Sequence, residues 1–227
     1  MFEVFTDNKY LLKYAPPEVS NKNLPEWWKQ FPAKLEFKDN KEIADMQTMR
    51  SCPVIKDFLN AGLIIKLWTN VKIFRSSEDT CSVEFLNEKH RYSEWHNNLQ
   101  VAPDLLNHSF SMPIKLFNPF NVRTPKNVWT YVVPYEYGDK RGMEVLQGIV
   151  KTDSWHSFNF VFKLNVDVGE TKTINFGTPI ARLLPFHANM EYKISSFDED
   201  QDFKSKVDEQ EFQVGNIEHA YLKETKN

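Results

Sequence analysis

Val128-Trp129-Thr130-Tyr131-Val132-Val133-Pro134-Tyr135, Gly148-Ile149-Val150-Lys151-Thr152-Asp153 and Gly177-Thr178-Pro179-Ile180-Ala181-Arg182-Leu183-Leu184 decide the fold class. Each is a short run of β-branched, aromatic and aliphatic residues. Glycine, proline or aspartate bounds each run. Such runs read as strands joined by turns. The last is an apolar strand that follows a Gly-Thr-Pro turn.

The same pattern extends outward in both directions. Leu63–Leu67, Val71–Phe74, Thr80–Phe85, Ile114–Phe117, Val145–Val150, Phe158–Leu164, Lys172–Phe176 and Ile180–Phe186 all read as strands. Turn residues fall between them at Asn118-Pro119, Pro125, Gly138, Gly142, Asp153, Gly169 and Gly177. A spacing of roughly ten residues between short strands predicts a sandwich, jelly roll or barrel. The expected class is therefore mainly β, a single β-clip-like or jelly-roll/sandwich domain with short peripheral helices and an irregular N-terminal arm.

Prolines shape the flanks. Residues 1–50 read as an arm packed on the body, because Ala15-Pro16-Pro17 and Asn23-Leu24-Pro25 interrupt regular structure. Within it, Glu26-Trp27-Trp28-Lys29-Gln30 predicts a short helix opened by Pro25. The paired tryptophans would pin the arm. Pro53 opens a second helix through Leu59, with Gly62 past its end. Residues 51–197 form the expected β domain. Residues 88–106 read as a loop or a short strand pair. Residues 198–227 begin with an acidic run and read as a charged tail or a peripheral helix.

Composition excludes several classes. Of 227 residues, 41% are hydrophobic and 14% aromatic, with 18 Phe, so a packed core is expected rather than disorder. The formal charge is −3, with 28 basic against 31 acidic residues, which gives no strong nucleic-acid signal. No stretch approaches the ~20 apolar residues of a membrane helix, and no signal peptide is visible. Two cysteines, Cys52 and Cys81, make no disulfide framework and point to a cytoplasmic protein with reduced thiols.

Catalytic motifs are sparse. The histidines are His90, His96, His108, His156, His187 and His219. None has the spacing of a helical zinc pair or the opening of a facial iron triad. No phosphate-cradling glycine loop and no Gly-x-Ser-x-Gly elbow occurs. Cys52 at a helix start reads as a capping or packing residue. No metal and no cofactor is expected.

In order and spacing, the Pro134, Gly148–Ser154 and Gly177–Leu183 segments resemble the deoxyuridine triphosphatase, or β-clip, family. That resemblance implies a homotrimer with a nucleotide pocket between subunits. It also implies that Tyr135, Lys151, Asp153, Trp155, His156 and Arg182 gather near that pocket. Lys151 stands where the family has its water-activating aspartate, and Ser154 where it has a tyrosine on the deoxyribose. Pro134-Tyr135-Glu136-Tyr137 lacks the phosphate-holding arginine and serine. A lysine takes the role of a carboxylate base near neutral pH only if its own pKa falls greatly.

A second set of matches spans more of the chain. Trp27-Trp28-Lys29, Cys52-Pro53, Lys115-Leu116-Phe117-Asn118-Pro119-Phe120, Thr124-Pro125 and Gly177-Thr178-Pro179-Ile180-Ala181 are similar to an uncharacterised family of cyanobacterial viruses and bacteria. A viral origin would place the protein in the host cytoplasm. The expected function is non-catalytic binding of a nucleotide-like small ligand or a protein partner. Two other classes stay open. One is an enzyme, either a deoxynucleotide hydrolase or an iron-dependent oxygenase. The other is a virion or assembly component.

Overall fold

The computed structural model describes residues 1–35, 46–77, 80–85, 93–95, 113–137 and 142–212, with backbone only at 211 and 212. His90, His96, His108, His219, Gly138 and most of 88–106 lie outside the described residues. The chain is mainly β. Its strands are β1 (Glu3–Phe5), β2 (Glu18–Val19), β3 (Lys34–Leu35), β4 (Met46–Gln47), β5 (Leu63–Lys66), β6 (Val71–Arg75), β7 (Cys81–Phe85) and β8 (Ser93–Trp95). They continue as β9 (Ile114–Leu116), β10 (Asn121–Arg123), β11 (Val128–Pro134), β12 (Met143–Val145), β13 (Gly148–Val150), β14 (Phe160–Leu164), β15 (Thr171–Ile174) and β16 (Pro179–His187). The helices are α1 (Lys9–Tyr14), α2 (Glu26–Gln30), α3 (Pro53–Asn60) and α4 (Gln201–Phe212).

Two units divide the chain. The first joins Met1–Asn23 to Ala61–Asn189, and the second joins Leu24–Asn60 to Met190–Asn227. The second unit holds α2, α3, α4 and the β3–β4 hairpin. Pro25 precedes α2 and Pro53 opens α3, as proline at a helix start predicts. Arg50 ties this unit together by donating to the carbonyls of Lys29 (3.1 Å) and Phe31 (2.7 Å).

The first unit holds the remaining strands in four antiparallel sheets. The largest has the order β13-β11-β16-β5-β2. The others are β12-β14-β9-β8, β15-β6-β7 and the β1–β10 pair. No barrel closes among the described residues. The tract from Val145 to Val150, expected as one strand, is two, because β12 pairs with β14 while β13 pairs with β11. Gln147-Gly148 lets the chain change sheets there.

One apolar core fills the space between these sheets. Ile65, Val132, Ala181 and Leu183 enter it from the largest sheet. Phe160, Phe162 and Leu164 enter from β14, and Val71 and Ile73 from β6. Strand β14 alternates buried and half-buried residues, the pattern of a sheet with one face in the core. Burying a Phe or Leu side chain contributes about 1.5–3 kcal/mol, so this alternation is the main force behind the fold. Gly62, just before β5, has φ +77°, and a Cβ there would lie 2.1 Å from the Leu183 carbonyl oxygen. Only glycine allows β5 to approach β16 so closely.

At the edge of the largest sheet, Glu18 on β2 pairs with Lys66 on β5 at 2.5 Å. This hydrogen bond, assisted by Asn23 and partly opposed by burial, holds the Glu18 carboxyl below its ordinary value. The folded-state value therefore lies below the unfolded one. The stability from this pair is present at neutral pH and is lost as pH falls through the carboxylate range. Lys66→Met should be less stable than the parent at pH 7 in urea unfolding, and the gap should narrow as Glu18 protonates. A gap independent of pH would show that the pair contributes nothing electrostatic.

Candidate ligand groove

Asparagine starts the first wall of the groove. Asn8 caps α1, its Oδ1 accepting from the backbone N–H of Tyr10 (3.1 Å) and Leu11 (3.2 Å). This is the usual work of an N-cap residue. Leu11 is buried and plugs the helix into the core. Tyr10, on the open side, is 58% exposed. Its ring lies 4.6 Å from Tyr14, one helical turn on, and 5.7 Å from Phe176.

The segment after β5 makes the floor. Leu67 and the Phe176–Thr178 turn exchange backbone hydrogen bonds, Leu67 N to Thr178 O at 2.7 Å and Gly177 N to Leu67 O at 2.8 Å. Trp68 is nearly buried and rests against Phe160 at 6.3 Å. Asn70 Oδ1 accepts from the Phe176 N–H at 2.7 Å, which sets the position of that ring.

A third segment adds Phe117 and Pro119. Between them, Asn118 Oδ1 accepts from the Phe120 N–H at 3.0 Å and folds the loop back on itself. The three segments enclose a cavity of about 480 Å³. That lies within the range of small-ligand clefts. Aromatic, aliphatic and neutral polar side chains line it, and no charged side chain does so among the described residues.

None of the six residues expected from the sequence lines this groove, and they fall into two separate groups. Four of them sit on or beside the turn that follows β13. Lys151 is exposed, with Nζ 4.9 Å from the centre of the Trp129 ring, in cation–π contact. Asp153 Oδ2 accepts from the Asn127 N–H at 3.0 Å. Asn127 has φ 62°, a conformation asparagine tolerates in turns. Trp155 is 67% exposed. His156 Nδ1 lies 3.1 Å from the carbonyl oxygens of both Val122 and Thr152. Two acceptors require that Nδ1 carry the proton, so in the neutral ring Nε2 holds the lone pair.

Tyr135 and Arg182 lie at the other end of β11. The Tyr135 hydroxyl donates to the Asn23 carbonyl at 2.7 Å. Arg182 is fully buried and donates to the carbonyls of Ala61 (3.0 Å) and Tyr135 (3.1 Å). Burial holds its guanidinium below the ordinary value, with Tyr135 and Tyr137 partly opposing. Val133 is the cross-strand partner of Arg182, and Trp129 carries Lys151. Four residues of strand, about 13 Å, separate those two positions. Short strands kept the six close in sequence pattern, but the ladder spreads them along its length.

Sequence reasoning also missed what holds the turn. Thr124, Thr130 and Thr152 are buried, and the Thr152 Oγ1 lies 2.8 Å from both other hydroxyl oxygens. Thr124 gives its single proton to the Val128 carbonyl. Thr152 therefore donates to Thr124, and Thr130 donates to Thr152. The groove was equally hidden, since its lining runs from Asn8 to Phe176. The one local signal was Asn8 ahead of an apolar run, a helix-start pattern.

Burial pushes the Cys81 thiol up, with Arg75 partly opposing, so the thiol form dominates at neutral pH. Cys52 opens α3 by accepting from the Lys56 N–H at 3.1 Å. Among the described residues, no three His, Cys, Asp or Glu side chains converge as a metal site would need. No helix among them is long and apolar enough to cross a membrane. No protein-family model matches the chain, and no curated protein does so.

Thr152→Val should destabilise the protein by about 1–3 kcal/mol in urea unfolding, because it strands a buried hydroxyl and an acceptor. Thr152→Ser, which keeps the hydroxyl, should recover most of the loss. Equal losses in the two variants would show that methyl packing, not the relay, sets the stability.

Proposed function

We propose that the protein is a non-catalytic binding module whose ligand is seated in the groove formed by α1, the Trp68–Asn70 segment and the Phe117–Pro119 loop. The observation that carries this reading is the lining: four aromatic rings and three neutral polar side chains around about 480 Å³. Flat apolar ligand surfaces gain from stacking on such rings, and neutral polar groups orient them. A ligand with a full charge would find no counter-charge there among the described residues. Of a nucleotide-like ligand, the base matches this lining and the phosphates do not.

The position that corresponds to the deoxyuridine triphosphatase aspartate supports the non-catalytic part. It holds Lys151, and its ammonium faces the Trp129 ring. No carboxylate base is supplied at that point.

Thermal-shift measurements on uncharged ring compounds (uridine, adenosine, N-acetylprolinamide) and on the corresponding nucleotides test the reading. Stabilisation by uncharged compounds, lost in Tyr10→Ala, is the expected result. Stabilisation that requires phosphate and survives Tyr10→Ala would contradict it.

A further inference from the structure

We propose that the groove is the docking site for a proline-rich segment of a partner protein. This rests on the reading of the groove as a binding site. The case is one of charge complementarity at the level of partial charges. Asn8 has committed its Oδ1 to two backbone N–H groups of α1. Asn70 has committed its Oδ1 to the Phe176 N–H, which fixes the amide orientation. What these two lining residues have left to offer is chiefly Nδ2–H, the positive end of the amide.

Asn118, in the loop between Phe117 and Pro119, repeats the arrangement. Its Oδ1 takes the Phe120 N–H, and its Nδ2 is buried inside the loop, so Asn118 shapes the groove wall and offers no donor to a ligand. The two amides that line the groove thus present donors without formal charge, beside the Tyr10 hydroxyl, which can donate as well. The matching ligand brings carbonyl oxygens and few donors of its own.

A run of prolines has that composition. Each proline lacks an N–H and offers only its carbonyl. The chain holds an extended left-handed helix with its carbonyls pointing outward, so little conformational freedom is lost on binding. Its pyrrolidine rings are compact apolar bodies that fit between aromatic side chains. Tyr10 and Phe176 stand 5.7 Å apart and tilted by 56°, which forms a ridge, while Trp68 lies beneath at 7% exposure. A nucleobase matches less well, because most bases carry donors on the same edge as their acceptors.

Fluorescence anisotropy with a labelled polyproline peptide, and a Gly-Ser peptide of equal length as control, tests this on the full chain. Saturable binding of polyproline alone is expected. Tyr10→Ala should weaken it by about tenfold through lost ring contact. Asn70→Asp should weaken it by about as much, since the carboxylate still accepts from Phe176 N–H but replaces a donor with a negative oxygen. Circular dichroism confirms that both variants are folded. Absence of saturable binding, or equal affinity in the parent and both folded variants, would overturn the proposal. If polyproline fails while uncharged ring compounds still stabilise the protein in a Tyr10-dependent way, the proline partner is wrong and the binding groove stands. If neither binds, both readings fall.

Discussion

The ladder between β11 and β16 is the constraint from which the rest of the first unit follows. Its partners run without interruption from Val128–His187 to Pro134–Ala181. Because side chains alternate across a strand, this register assigns every residue to one of two faces. Val132, Ala181 and Leu183 enter the core. Val133, Arg182 and, through β5, Ile64 share a row on the other face. A slip by one residue would drive the Arg182 guanidinium in among the phenylalanines, where a charge without partners is heavily penalised. In the native register its buried charge meets the carbonyls of Ala61 and Tyr135 instead. The arginine thus works with the apolar pattern to exclude the neighbouring register.

The same ladder explains why two regions with different chemistry arise on one sheet. At the β13 end, the threonine relay and the His156 hydrogen bonds hold the turn that carries Lys151, Asp153 and Trp155. Across the core, β5 leads into Trp68 and β16 is preceded by Phe176, so the central strands also deliver the floor of the groove. Helix α1 completes it through one buried leucine and one capping asparagine. The groove depends on fixed turns rather than on long elements. This is why amide side chains recur around it, each holding a backbone N–H.

Much of the β pattern was legible because it is local. Phe160-Val161-Phe162-Lys163-Leu164 reads as a half-buried strand, and its alternating burial agrees. Pro25 and Pro53 announce helices through a fixed φ and a missing N–H, and α2 and α3 begin at them. The strand change between Val145 and Gly148 was not legible, since nothing in Val-Leu-Gln-Gly states which neighbour each half will find. The candidate site was illegible for the same reason. Lys151 and Arg182 were expected together only through the resemblance to the β-clip family, and the register says how far apart along β11 they fall. Tyr10, Trp68 and Phe176 carry no shared sequence signal, and the fold alone brings them to one cavity.

Paired substitutions at Leu183 and Leu184 test the register most directly, because the two residues differ only in the face the ladder gives them. Leu183 is fully buried in the core, while Leu184 lies half-buried on the opposite face. In urea unfolding, Leu183→Lys should abolish or nearly abolish cooperative folding, while Leu184→Lys should leave a folded protein with a modest loss. The reverse order, or equal loss in both, would contradict the ladder and everything positioned by it.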